Sequence, residues 1–249
     1  MDNVKDFAFD IVIQAGQSNS EGYGQGPVAE PYVPTDSVWY MHANGDMTVA
    51  EELDMGDPWG VSGNFSLPFA REYIQDGKLK NGRKLLILRA AVGGTGFSDN
   101  RWKPGDDLRE RMLGLTKAAL ALNAENRLVA FLWHQGETDA TLHAAREFYY
   151  GYLSGMVKEV RGDFNCPALP FLCADFCHEW RNQCLSDCMP VIQALQDVCA
   201  DCAPAVFLET DGLTSNNQAA GDGDGIHFSR DALYKMGERF YCAFAELVG

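Results

Sequence analysis

The chain has 249 residues, 46% of them hydrophobic, a formal charge of −15, eight cysteines and five histidines. That length and apolar content suit one large globular domain and exclude an intrinsically disordered protein. The acidic balance argues against nucleic acid or an anionic membrane surface as a partner, and no apolar run approaches the length of a membrane span.

The first predicted element is a strand over Phe9–Gln14. Before it, Met1 to Asp6 lacks the basic, then apolar, then small-residue order of a signal peptide, so the expected location is the cytoplasm. After it the chain breaks into Gly16-Gln17-Ser18-Asn19-Ser20, a serine on a glycine turn. Serine after glycine at a strand end is a common helix N-cap, and it is equally where an α/β enzyme presents a nucleophile. Because Ser20 stands where a second glycine would complete Gly-x-Ser-x-Gly, this is not the nucleophile elbow of the α/β-hydrolases.

Further strands are predicted at Val38–Met41, Lys84–Ala91, Leu128–Trp133, Leu169–Ala174 and Val206–Glu209. Leu85 to Leu88 and Leu128 to Leu132 are continuously apolar, the pattern of strands covered on both faces. Between them lie helices. Leu108, Met112, Leu115, Ala119 and Leu122 mark one, with Asp106 and Asp107 placed to cap it. Phe148, Tyr152, Met156 and Val160 mark a second, and Ile192, Leu195, Cys199 and Cys202 form a third apolar face. The last helix starts at Ser229 as N-cap and buries Leu233, Met236, Phe240, Phe244 and Leu247. Strands alternating with helices predict an α/β fold in which helices cover both faces of a parallel sheet. No repeat or linker interrupts it, so residues 1–249 read as one domain.

Seven of the eight cysteines fall between Cys166 and Cys202. Packed free thiols, disulfides and a metal site are three readings of this cluster. Cys173 within an apolar strand and Cys199 on an apolar helical face favour packing, and Cys-x-x-x-Cys is poor zinc spacing.

Downstream, Asp222-Gly223-Asp224-Gly225-Ile226-His227 joins an acid to a histidine three residues on. An Asp carboxylate at that spacing can hold Nδ1 of His227 and leave Nε2 free to take a proton from Ser18. Asp222 and Glu209 are rival acids. The alternation of acids and glycines hints at calcium, but neither a third alternate ligand nor a closing glutamate follows. His134-Gln135-Gly136-Glu137 lacks helical zinc spacing, so no metal is assigned and the chemistry calls for no cofactor. Two segments, Arg101-Trp102 and Asp57-Pro58-Trp59, offer tryptophans for a sugar face or for packing.

Four blocks therefore stand in order: Gly16-Gln17-Ser18-Asn19, Gly93-Gly94-Thr95, Trp133-His134-Gln135-Gly136-Glu137-Thr138-Asp139, and Asp224-Gly225-Ile226-His227-Phe228. Together they resemble the SGNH hydrolase superfamily, and within it the sialate O-acetylesterase-like carbohydrate acetylesterases. Where the wider superfamily opens with Gly-Asp-Ser and carries an Asn in its third block, this chain has Gly16-Gln17-Ser18 and Gln135. The resemblance implies a single-domain three-layer α/β/α sandwich, flavodoxin-like, of strand order 2-1-3-4-5. It implies catalysis by Ser18, Asp224 and His227, with an oxyanion held by Ser18 N–H, Gly94 N–H and the Gln135 amide. Gln17, Asn19, Glu137 and Trp102 are expected to bind substrate or organise the loops, the last role shared with Asp139. The implied substrate is a small acetylated carbohydrate. A short-chain or lysophospholipase-like esterase and a non-catalytic sugar-binding protein are the rival readings. The intact Ser18, Asp224 and His227 set weighs against the second.

Overall fold

The computed structural model describes residues 7–56 and 60–249. The N-terminal hexapeptide and Asp57-Pro58-Trp59, with its candidate sugar-stacking tryptophan, lie outside the described residues. In chain order the elements are β1 (Ala8–Gly16), α1 (Ser18–Glu21), β2 (Val38–Met41), β3 (Met47–Val49), β4 (Leu53–Asp54), β5 (Val61–Ser62), α2 (Ser66–Gln75), β6 (Arg83–Arg89) and α3 (Asp107–Ala121). The second half continues with β7 (Arg127–His134), α4 (Glu137–Thr141), α5 (Arg146–Asp163), β8 (Phe171–Ala174), α6 (His178–Gln183), α7 (Leu185–Asp201), β9 (Ala205–Leu208), α8 (Asn216–Ala220) and α9 (Arg230–Val248).

The main sheet runs β3-β2-β6-β1-β7-β8-β9, parallel except for the β3 edge. Its faces are covered by two separate apolar cores. Phe9, Ile11, Ile13 and Ala15 of β1 meet α3, α5 and α7, whereas Val12, Leu85, Ile87 and Leu132 meet α2 and α9. That is the three-layer sandwich. The strand order corrects the expected one: among the parallel strands the third, β6, lies between the first two. The chain leaves β1 for β2, fills the gap with β6, then crosses to β7 on the other flank of β1. Chain direction thus reverses around β1, and the crevice for a ligand lies outside its carboxyl end.

All nine residues of β1 are buried, including Asp10 and Gln14. Asp10 takes hydrogen bonds from Tyr73, Arg83 and Arg127, so the buried carboxylate is paired. Burial alone would push its carboxyl up. The bonds from Arg127, Tyr73 and Arg83 together hold it below the usual carboxylate range.

Several local expectations shift. Pro170 has no N–H for the ladder, and β8 starts at Phe171. On α5 the buried face runs through Tyr149, Leu153, Met156 and Val160. Phe148 and Tyr152 are half-buried beside it, and Lys103 Nζ lies over both rings. Asp106 occupies the N-cap position of α3, but its carboxylate accepts Lys103 N–H, and Asp107 pairs with Arg101. Ser229 caps α9 as predicted, accepting Ala232 N–H. All eight cysteines are free thiols, with Cys173 Sγ 3.4 Å from Cys199 Sγ, and Cys173, Cys188 and Cys202 are buried in the core. No helix among the described residues is long and apolar enough to cross a membrane.

Candidate active site

At the carboxyl end of β1 the backbone must turn sharply beside β7. Gly16 does so at φ +129°, and a Cβ there would stand 2.0 Å from the carbonyl oxygen of His134. Only glycine fits. Gln17 N–H then bonds His134 O at 2.9 Å, and Gln17, in extended conformation, is the N-cap of α1. Ser18 is therefore the first residue of that helix, one place beyond the cap that sequence offers it.

The loop before α9 reaches Ser18 from the opposite side of the chain. Ser18 Oγ lies 2.8 Å from His227 Nε2, and His227 Nδ1 lies 2.8 Å from Asp224 Oδ2. Asp224 Oδ1 also accepts His227 N–H at 3.1 Å, and Asn216 Nδ2 donates to Oδ2 at 3.0 Å. Burial would raise the Asp224 carboxyl, but the bonds from His227 and Asn216 outweigh it and hold it at about 2. An ionised Asp224 fixes the imidazole tautomer with Nε2 toward the serine. The rival acids are elsewhere. Asp222 accepts Asp224 N–H and is exposed, and Glu209 is exposed at the end of β9. The Asp222–Gly225 run is thus a turn that aims Asp224 at His227.

Asn19 joins the two halves. Its Nδ2 donates to Glu137 Oε1 at 2.8 Å and Ile226 O at 3.2 Å, and its Oδ1 accepts Phe228 N–H at 3.0 Å. Glu137 is buried under the site, bonded to Asn19 and 3.6 Å from His134 Nδ1. The glycine loop after β6 is also tied down. Glu21 Oε2 accepts Gly93 N–H at 2.7 Å, and Asp139 accepts Phe97 N–H, Ser98 N–H and Ser98 Oγ–H. Gly94 stays exposed, with no acceptor for its N–H among the described residues.

A cavity of about 530 Å³ opens here, lined by Ser18, His227, Gln17, Gly93, Gly94 and Tyr23 among others. That volume is in the range of small-molecule sites. Two expected members stand apart from it. Trp102 is wholly buried, edge-on to Trp133, and its Nε1 donates to Thr95 Oγ1 at 3.0 Å. It braces the glycine loop and has no face for a sugar. Gln135 is 1% exposed and is not among the residues lining the cavity; its Nε2 is engaged by Asp139 Oδ2 at 2.8 Å, Thr95 O at 3.0 Å and Gln17 Oε1 at 3.2 Å.

Sequence reasoning missed Tyr23, whose ring stacks on His227 at 5.3 Å, and Asn216 and Glu21, which orient Asp224 and Gly93. None of the three carries a motif. Tyr23, five residues after Ser18, is the one that proximity could have suggested. A neighbouring cavity of about 570 Å³ is lined by Arg89, Arg111, His42 and Glu21, while Arg101 pairs with Asp107 outside both cavities.

Comparison with known proteins bears on the family and the fold. The family model "Carbohydrate esterase, sialic acid-specific acetylesterase" matches residues 8–246. A relative from Arabidopsis thaliana, "Probable carbohydrate esterase At4g34215", is 34% identical over 87 residues, a match spanning 34% of this chain and 32% of that protein. Its solved structure superposes with a TM-score of 0.75 at 22% identity, over 95% of this chain and 98% of that one. NanS gives a TM-score of 0.79 at 18% identity, over 99% of each chain. XAC1771, a carbohydrate acetylesterase from Xanthomonas citri, gives 0.67 at 17% identity, over 96% of this chain and 56% of that one. These likenesses to solved structures concern the fold, while the family model spans nearly the whole chain, which belongs to the sialic acid-specific acetylesterase family of carbohydrate esterases.

Proposed function

We propose that the protein is a serine-dependent carbohydrate O-acetylesterase. The observation that carries this is the unbroken line from Asp224 through His227 to Ser18, with both links at 2.8 Å, at the wall of an open cavity. Sugar binding alone needs no nucleophile, base and orienter in series.

In the proposed reaction Ser18 Oγ attacks the acetyl carbonyl carbon while His227 Nε2 takes its proton. The carbonyl oxygen becomes an oxyanion facing Ser18 N–H and Gly94 N–H. As the tetrahedral intermediate collapses, His227 gives the proton to the departing sugar oxygen, leaving acetyl-Ser18 and a free sugar hydroxyl. Water then enters, loses a proton to His227 and attacks the acetyl carbon, and acetate leaves as Oγ is reprotonated. Asp224 stabilises the imidazolium in both halves. The N–H donors act where charge develops, which is where an electrostatic contribution accelerates the step.

A panel of acetylated sugars, among them acetylated sialic acid and xylan fragments, assayed for acetate release with Ser18→Ala as blank, tests this reading. Serine-dependent release from at least one sugar, faster than from a simple alkyl acetate, supports it. Release only from alkyl or lipid esters would replace it with the short-chain or lysophospholipase-like esterase.

A further inference from the structure

The proposed reaction assigns two backbone N–H groups to the oxyanion, and the side chain that sequence adds to them has both its hydrogens engaged. Gln135 Nε2 stands 2.8 Å from Asp139 Oδ2, 3.0 Å from Thr95 O and 3.2 Å from Gln17 Oε1. Those are three acceptors for two hydrogens. The amide cannot be reversed, because Oε1 would then confront a carboxylate and a carbonyl that can only accept. At the other end the Tyr149 hydroxyl, with one hydrogen to give, lies 2.7 Å from Gln135 O and 3.0 Å from Gln135 Oε1.

This arrangement determines how Gln17 stands. Its Oε1 is approached by Gln135 Nε2 and by Thr138 N–H, each at 3.2 Å. A backbone N–H can only donate, so Oε1 is the amide atom that faces Thr138 and Nε2 is the other branch of the amide. Among the described residues Nε2 has no acceptor. Gln17 nevertheless lines the cavity with Ser18, Gly93 and Gly94, although only 3% of its surface is exposed. A nearly buried amide that lines the nucleophile's cavity, with its oxygen held by Thr138 N–H and its N–H donors without a partner among the described residues, is preorganised to meet developing negative charge.

We infer that Gln17 Nε2 is the side-chain hydrogen-bond donor to the oxyanion, and that Gln135 is a positioning residue which sets the Gln17 amide. The inference rests on the proposed Ser18 reaction. The Gln17 N–H bond is neither made nor broken in it, since the amide donates to the carbonyl oxygen as that oxygen gains charge.

The test measures kcat, KM and melting temperature on a chromogenic acetyl ester, together with affinity for a boronic acid that forms a tetrahedral adduct on serine. Gln17→Ala should lower kcat by about 10²–10³ with KM within a few fold, and should weaken the boronate by a similar factor. Gln17→Glu keeps an acceptor for Gln135 and Thr138 and so guards against misfolding. Ionised, it has no hydrogen to donate and should fall at least as far. Gln135→Met should lower kcat in the wild-type background and cost little more once Gln17 is Ala, because its effect passes through that amide. A folded Gln17→Ala or Gln17→Glu enzyme with near-normal kcat overturns the inference, as does a Gln135→Met cost undiminished in the Gln17→Ala background. Ser18→Ala separates the two levels. If it is inactive while Gln17→Ala is active, the inference alone fails; if hydrolysis survives in Ser18→Ala, the reaction itself is misassigned.

Discussion

Asn19 Oδ1 accepts the backbone N–H of Phe228 at 3.0 Å, across 209 positions of sequence. Each residue directly follows a partner in the Ser18–His227 bond, so this contact sets the approach of one to the other. Asn19 is fully buried, and its amide also holds Glu137 and Ile226 O.

Asn19→Ala should therefore damage turnover without touching the reacting atoms. A displacement of about 1 Å at a catalytic group can cost on the order of 10²-fold. Loss of that order in kcat, with the free energy of unfolding lowered by about 1–3 kcal/mol for the stranded Phe228 N–H and Glu137 oxygen, is the expected result. Steady-state kinetics beside calorimetry on the purified variant checks both numbers.

Replacing Asp224 by Asn should remove the acceptor that fixes the His227 tautomer and lower kcat by about 10⁴. The same change has a pH signature. The folded carboxyl is held at about 2, below the ordinary 3.8, so the unfolded chain binds the extra proton first. The carboxylate's contribution is complete above the unfolded value and disappears as pH falls through the folded one. Melting curves of wild type and Asp224→Asn should diverge most above about pH 4 and converge near pH 2. A gap that widened toward acid would mean the wrong sign.

Asp10 lies far from the cavity and should govern stability alone. Its carboxylate has no exposure and is paired with Arg83, 15% exposed, and Arg127, 54% exposed, so Asp10→Asn weakens the charge-assisted bonds at the start of the central strand. A loss of about 1.5–3 kcal/mol at neutral pH is expected for hydrogen bonds to a buried charge whose partners keep contact with water. Because the folded value is depressed, that contribution is lost as pH falls below the carboxylate range. Denaturant titrations at neutral and acid pH should show the gap to wild type shrinking toward acid, with KM at neutral pH unchanged.

Trp102→Phe distinguishes a brace from a sugar contact. The indole donates to Thr95 Oγ1 inside the core, so the variant should lose about 2–3 kcal/mol, about 1 for the buried hydrogen bond and the rest for the space the smaller ring leaves. KM for an acetylated sugar should stay within a few fold. A large rise in KM at unchanged stability would instead put the ring against substrate.

Much of this was legible in the sequence because apolar period and turn chemistry are local. β1, β2, β6 and β7 follow from short apolar runs, and the helix α9 from its apolar period and its Ser229 cap. The β2–β3 hairpin was overlooked although Asn44-Gly45 marks it. Strand order was misjudged for a different reason: which strand fills the place beside β1 depends on how α2 and α3 pack on opposite faces, and no local pattern records that. The direction of the Gln135 amide was equally out of reach. It is set by Asp139, Thr95 and Tyr149, three acceptors or donors brought together only by the fold.

The central claim is that Ser18 carries the acetyl group between sugar and water. Acid quench during turnover of an acetylated substrate, followed by proteolysis and mass spectrometry, reads this directly. The predicted result is one added acetyl on the peptide containing Ser18, formed faster than it decays and absent from Ser18→Ala. Acetate release at an undiminished rate by folded Ser18→Ala, or an acetyl group accumulating and turning over on some other residue, would contradict it.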